Sequence, residues 1–134
     1  MSIHPRVEAL AQGDVWKLLG VNVLKGNEGE CELELNVKKE FTQSFGTVHG
    51  GIIATLLDMG MAAAISSTLD QDKYSNTIDL HINYLRPMLG ETMSVKASIV
   101  KRGRRITVAS AGAYNEEGKQ IASATGNFMI LDKN

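Results

Sequence analysis

Hydrophobic positions divide this chain into a helical start, an alternating run, one long apolar block and four further alternating runs. Pro5 opens a helical pattern carrying Val7, Leu10 and Ala11; Gly13 and Asp14 then restart a short turn through Trp16, Leu18 and Leu19 that Gly20 ends. The pattern therefore predicts an N-terminal helical segment over about residues 5–19. Residues 30–38 alternate strictly, with Cys31, Leu33, Leu35 and Val37 on one face and Glu32, Glu34 and Asn36 on the other. Such a half-exposed strand is expected to pair with residues 21–24 across a turn at 26–29.

Residues 48–69 are almost entirely apolar or small, which predicts a helix that is apolar on nearly every side because a sheet wraps around it. The block also holds Gly50, Gly51, Gly60, His49 and Asp58 and has no flanking cation before Lys73, features that argue against a membrane span. Residues 76–85, 92–101, 105–114 and 120–131 then read as strands. Pro87-Met88-Leu89-Gly90, Arg102-Gly103-Arg104 and Asn115-Glu116-Glu117-Gly118 separate them, and short turns between successive strands predict antiparallel neighbours. The expected fold class is α+β: one long central helix wrapped by a strongly curved antiparallel sheet of five to six strands.

Length and composition fit this picture. A chain of 134 residues without linkers or repeats suits a single domain over 1–134 that needs no metal or disulfide to hold its core. Fourteen Lys and Arg against fifteen Asp and Glu leave a net charge of −1, which removes the general electrostatic case for nucleic acid or an anionic membrane as partner. Cys31 is the sole cysteine, and the start Met-Ser-Ile-His-Pro-Arg has no apolar signal core, so the cytoplasm is the expected compartment.

The candidate chemistry begins with Asp58, the only formally charged residue in the 48–69 block. An ionised carboxylate taken out of water costs several kcal/mol or more unless it is paired or faces a wet cavity, so an acid in this helix points to function. Nine positions earlier stands His49, followed by Gly50 and Gly51. A helix N-terminus offers unpaired N–H groups and a positive dipole end, so the Gly50 amide, with no side chain to block approach, suits a developing oxyanion. Asp58 is then the candidate base or nucleophile. Thr77 on a nearby strand suits the attacking water, and Gln43 before the helix offers an amide to the carbonyl or the water.

Gly50 and Asp58 are eight residues apart, about 12 Å along a helix axis, whereas one reacting carbonyl must lie about 3 Å from both partners. The spacing predicts a site shared between two copies of the chain: Gly50 and Gln43 of one subunit meet Asp58 and Thr77 of the other across a two-fold axis.

The run Phe41-Thr42-Gln43-Ser44-Phe45-Gly46-Thr47-Val48-His49-Gly50-Gly51, followed by Ala54-Thr55-Leu56-Leu57-Asp58, resembles the hotdog-fold acyl-CoA thioesterases of the phenylacetate-degradation PaaI type. Thr77-Ile78-Asp79-Leu80, Asn83-Tyr84-Leu85-Arg86-Pro87 and the glycine-centred basic turn extend the resemblance over about residues 16–131. The resemblance implies a hotdog fold, hydrolysis of an acyl-CoA thioester without metal or redox cofactor, and a homodimer that often pairs into a homotetramer. It transfers roles to Asp58 as catalytic carboxylate, Gly50 as oxyanion donor, His49 as support for the helix start or the carbonyl, and Thr77 at the Ser/Thr position. Gln43 here stands with the shorter Asp58, whereas branches of the family pair Asn with Asp or Gln with Glu.

Other side chains have plainer alternatives. His49 suits a simple helix cap as well as acid–base chemistry. Asp79 and His81 alternate with Thr77 on one strand face, but no close ligand cluster points to a metal. Cys31 and the methionines Met59, Met61, Met88 and Met129 suit core packing, or for the methionines the lining of an acyl pocket. Arg86, Lys101, Arg102, Arg104 and Arg105 are candidate contacts for the phosphates of coenzyme A, against the alternative of a solvated surface. A hydratase or dehydratase acting on acyl thioesters, and a non-catalytic acyl-CoA-binding module, stay open beside the thioesterase reading.

Overall fold

The computed structural model describes residues 3–133. Two short helices, α1 (Pro5–Leu10) and α2 (Asp14–Leu19), occupy the expected N-terminal segment; Pro5 stands in the first turn of α1, and Gly20 ends α2 in the left-handed region at φ 76°. Six strands follow: β1 (Asn22–Asn27), β2 (Glu30–Asn36), β3 (Lys73–Tyr84), β4 (Thr92–Arg102), β5 (Ile106–Tyr114) and β6 (Gln120–Asp132). Between β2 and β3 lies the long helix α3 (Gly50–Ser66). All strands join one antiparallel sheet in the order β1-β2-β4-β5-β6-β3. The α+β architecture expected from the pattern is the one observed.

Two details of register differ from the expectation. The β1–β2 turn is Glu28-Gly29 rather than residues 26–29, because Asn27 pairs with Glu30 and Gly26 with Cys31 inside the strands. Positive φ at both turn residues (52° and 80°) matches the twist of the flanking strands. Gly26 is needed within β1 for a packing reason: a Cβ there would lie 2.7 Å from a methyl of Val7, the fully buried anchor of α1.

The second difference concerns β3 and β4, which are consecutive but not neighbours. Residues 85–91 form no tight turn. The Leu85 N–H bonds to the Ile121 carbonyl, Met88 is buried, its carbonyl accepts from the Val48 N–H, and Glu91 accepts from the Val37 N–H. The connection thus runs from the β6 side to the β2 side beneath the start of α3. Among the described residues it leaves β3 as an edge strand bonded only to β6.

The core lies between α3 and the inner face of the sheet. Ile53, Leu56, Leu57, Met61, Ala64 and Ile65 of α3 are buried along with Leu33, Leu35, Met93, Val95, Ile121 and Phe128 of the strands. The methionines divide: Met59, Met61 and Met88 are buried, whereas Met129 is 39% exposed on the outer face. Cys31 is buried, and desolvation, followed by the charge of Glu32, pushes its thiol up to about 12. The face of α3 that the sheet leaves uncovered carries Gly51, Ala54, Thr55, Asp58 and Ala62, so Asp58 is half-buried. Among the described residues no helix is long and apolar enough to cross a membrane.

Candidate active site

The start of α3 is pinned from both sides. The Val48 N–H bonds to Met88 and the His49 N–H to Phe41, and residues 43–47 close a tight loop in which the Gln43 N–H bonds to the Thr47 carbonyl. Phe45 and Gly46 take left-handed backbone angles in that loop (φ 69° and 76°), and the Phe45 ring stands 98% exposed. The Gln43 side chain is also exposed and approaches the Thr47 hydroxyl at 3.4 Å.

His49 is the N-cap of α3, with its Nδ1 accepting the Gly51 N–H at 2.9 Å. With Nδ1 an acceptor, the neutral ring carries its proton on Nε2. The His49 carbonyl takes the N–H groups of Ile52 (3.0 Å) and Ile53 (3.3 Å). Three of the four first-turn donors therefore have acceptors. Among the described residues the Gly50 N–H has none, so it is the donor left for a ligand.

A cavity of about 630 Å³ opens at this helix end, lined by Gln43, Thr47, Gly50, Ile53, Arg86 and Met88 among others. Tyr84, the last residue of β3, also lines it and donates from its hydroxyl to the Gly50 carbonyl at 2.8 Å. The sequence pattern does not place it there. The only sequence signal was an aromatic just before Leu85-Arg86-Pro87, and nothing in spacing alone ties a strand end to a helix start.

Asp58 and Thr77 form the other half of the constellation, and neither lines that cavity. The Thr77 hydroxyl donates to Asp58 Oδ1 at 2.7 Å. Asp58 lies two turns along α3, about 12 Å of axial rise from Gly50. Within one protomer, then, the structure brings Gln43, His49 and Gly50 together at the helix start and Asp58 and Thr77 together further along.

Asp79 and His81 do not share a face with Thr77, contrary to the strand alternation. Thr77 pairs with Phe128 and Asp79 with the very next β6 residue, Asn127, so Ile78 is the extra residue of a β-bulge. The bulge leaves Thr77 facing the helix and turns Asp79 outward, where a carboxylate oxygen accepts from the Asn127 side-chain amide at 2.8 Å. Among the described residues no group of three or more His, Cys, Asp or Glu is placed to hold a metal ion.

The five cations are dispersed. Arg86 is in the cavity at the Gly50 end. Arg102 donates to the Thr68 hydroxyl beyond the opposite end of α3. Arg104 and Arg105 line a separate depression of about 380 Å³ with Lys73 and Asp132, which form an ion pair, and Lys101 is exposed on β4.

Comparison with known proteins places this geometry in a family. The model of the thioesterase superfamily matches residues 45–122, from the loop before α3 into β6. A medium/long-chain acyl-CoA thioesterase, YigI, of Escherichia coli is 34% identical over 96 residues, 62% of this chain and 62% of that protein. A crystal structure of a thioesterase family protein from Silicibacter pomeroyi superposes with a TM-score of 0.90 at 32% identity, covering 95% of this chain and 96% of that one. The PaaI protein of the E. coli phenylacetic acid degradation operon shares the fold, with a TM-score of 0.88 at 22% identity over 96% of this chain and 93% of its own. The long helix cradled by a six-stranded antiparallel sheet is the hotdog fold, and the chain belongs to the thioesterase superfamily.

Proposed function

We propose that this protein hydrolyses acyl-coenzyme A thioesters to a free carboxylic acid and coenzyme A, at sites shared between two copies of the chain. The observation that carries the reading is the Asp58–Thr77 hydrogen bond on the uncovered face of α3, about 12 Å of axial rise from the unpaired Gly50 N–H. In a two-fold dimer with α3 packed beside its counterpart, Asp58 of one protomer comes level with Gly50 of the other. Two features support that packing. The uncovered stripe of α3 is built of small residues, Gly51, Ala54, Thr55 and Ala62, which let helices approach closely. Beside it, β3 is a twelve-residue edge strand with Ile78 exposed, a surface that proteins rarely leave unpaired.

In the shared site the thioester carbonyl oxygen accepts from the Gly50 N–H, with His49 Nε2–H and the Gln43 amide as further donors. The Thr77 hydroxyl, donating to Asp58, keeps its lone pairs for a water. Asp58 takes a proton from that water as its oxygen adds to the acyl carbon; the C–S bond then breaks and the proton passes to the departing thiolate. Direct attack by Asp58, giving a mixed anhydride that water then opens, uses the same groups. Arg86 in the cavity, with Lys101, Arg102, Arg104 and Arg105 as further candidates, meets the phosphates of coenzyme A. Neither route uses a metal or redox cofactor. Dimer-of-dimers association and a cytoplasmic location complete the reading, the latter supported by a lone buried cysteine.

The test is a thiol-release assay across aromatic, medium-chain, long-chain and hydroxylated acyl-CoA substrates. Release of free coenzyme A with the matching acid supports the reading. A change in enoyl absorbance without thiol release points to hydration chemistry, and binding without turnover points to a binding module.

A further inference from the structure

We infer that Tyr84 is a positioning residue for the oxyanion site, its hydroxyl and ring clamping Gly50, the first of the two glycines that begin α3. The inference rests on the hydrolytic reading above. Two adjacent glycines at a helix start have more backbone freedom than any other pair, so the direction of the Gly50 N–H is not set by local preference. The His49 carbonyl, in the same peptide unit as that N–H, is held by the Ile52 and Ile53 N–H groups, and side chains outside the glycines hold the units that follow.

The structure supplies them in order. His49 Nδ1 takes the Gly51 N–H at 2.9 Å, and the Thr55 hydroxyl donates to the Gly51 carbonyl at 2.8 Å. Tyr84 adds the contact that reaches Gly50 itself, with its hydroxyl 2.8 Å from the Gly50 carbonyl oxygen. The ring of Tyr84 also lies against the glycine, since a Cβ on Gly50 would sit 3.4 Å from both Cζ and the hydroxyl oxygen. Tyr84 is held in turn at the end of β3, where it pairs with Ala122 and the next N–H, that of Leu85, bonds to the Ile121 carbonyl. A rigid sheet position thereby fixes the peptide plane beside the donor. The residue is still 53% exposed and lines the ligand cavity, so it is no buried core tyrosine.

The contact acts on the donor and not on the bulk of the ligand, so its loss is expected in turnover. Tyr84→Phe keeps the ring and removes only the hydroxyl. Its kcat on the best acyl-CoA substrate is expected to fall about 5- to 20-fold with KM within about two-fold of wild type. Amide exchange at residues 51–54 is expected to quicken in the same variant, with the rest of the chain unchanged. Unchanged kcat, or a loss confined to KM, overturns the inference and makes Tyr84 a lining residue. Wild-type turnover tests the hydrolytic reading separately. Should the wild type release no thiol, that reading falls, and unchanged exchange in Tyr84→Phe would also remove the clamp.

Discussion

The Thr77 hydroxyl reaches the Asp58 carboxylate at 2.7 Å because a single extra residue, Ile78, bulges from β3. Without the bulge, strand alternation would put Thr77 on the same face as Asp79 and His81, which point away from α3. The acid of the helix and the hydroxyl of the strand are thus one unit, and they should respond to mutation as one. Asp58→Asn, which preserves shape, is expected to lower kcat by about 10²–10⁴. Thr77→Val is expected to cost about 10-fold, and the double variant little more than Asp58→Asn alone. Thiol-release kinetics with a thermal melt on each variant check this; additive losses would separate the two residues.

The same bulge marks the limit of what the chain's pattern reveals. Strand β2, helix α3 and strands β4 to β6 are legible because β2 alternates strictly, α3 is an apolar block, and turn residues separate the later strands. A bulge leaves no mark in that pattern: Ile78 and Leu80 both look like inward residues, and only the register against Asn127 and Phe128 exposes the shift. The crossing of residues 85–91 was hidden for a related reason. Pro87 and Gly90 signal a turn of some kind, whereas the path is decided by Met88 sinking into the core and by bonds to Val48 and Ile121. Of the site, Asp58, Gly50 and their separation could be read from spacing. Tyr84 could not, because its contact joins residues 34 positions apart through the fold.

Gly60 tests how closely α3 lies on the sheet. A Cβ there would stand 2.8 Å from a methyl of Val95 and 3.4 Å from Ala97 Cβ. Alanine gains about 1 kcal/mol of helix propensity over glycine, but overpacking against a rigid strand costs about 1–3 kcal/mol. Gly60→Ala is therefore expected to lose roughly 1 kcal/mol net, read as a lower midpoint in urea with unchanged slope. A gain in stability would mean that helix and sheet have room to part.

Cys31 gives a pH signature. Burial raises its thiol from 9.0 to about 12 in the folded chain. Below pH 9 both folded and unfolded chains hold the proton. Between 9.0 and about 12 the unfolded chain releases it and the folded chain does not, so this group lowers stability as pH rises through that window. The thiol is expected to resist a thiol-specific reagent at pH 8 in the native protein and to react at once in denaturant. Rapid reaction of the native protein would contradict the burial.

The central claim is that the oxyanion donor and the acid of each site come from different copies of the chain, and complementation tests it most directly. Gly50→Pro deletes the free N–H at a first-turn position that favours proline, after a His49 backbone (φ −58°, ψ 134°) that accepts a following proline. Asp58→Asn removes the acid. Carrying different affinity tags, the two variants are co-expressed and the mixed dimer is isolated. Each parent homodimer is expected to be nearly inactive, while the mixed dimer, with one whole site and one doubly broken site, regains about half of wild-type turnover per dimer. A mixed dimer as inactive as its parents would place donor and acid in the same protomer and contradict the account.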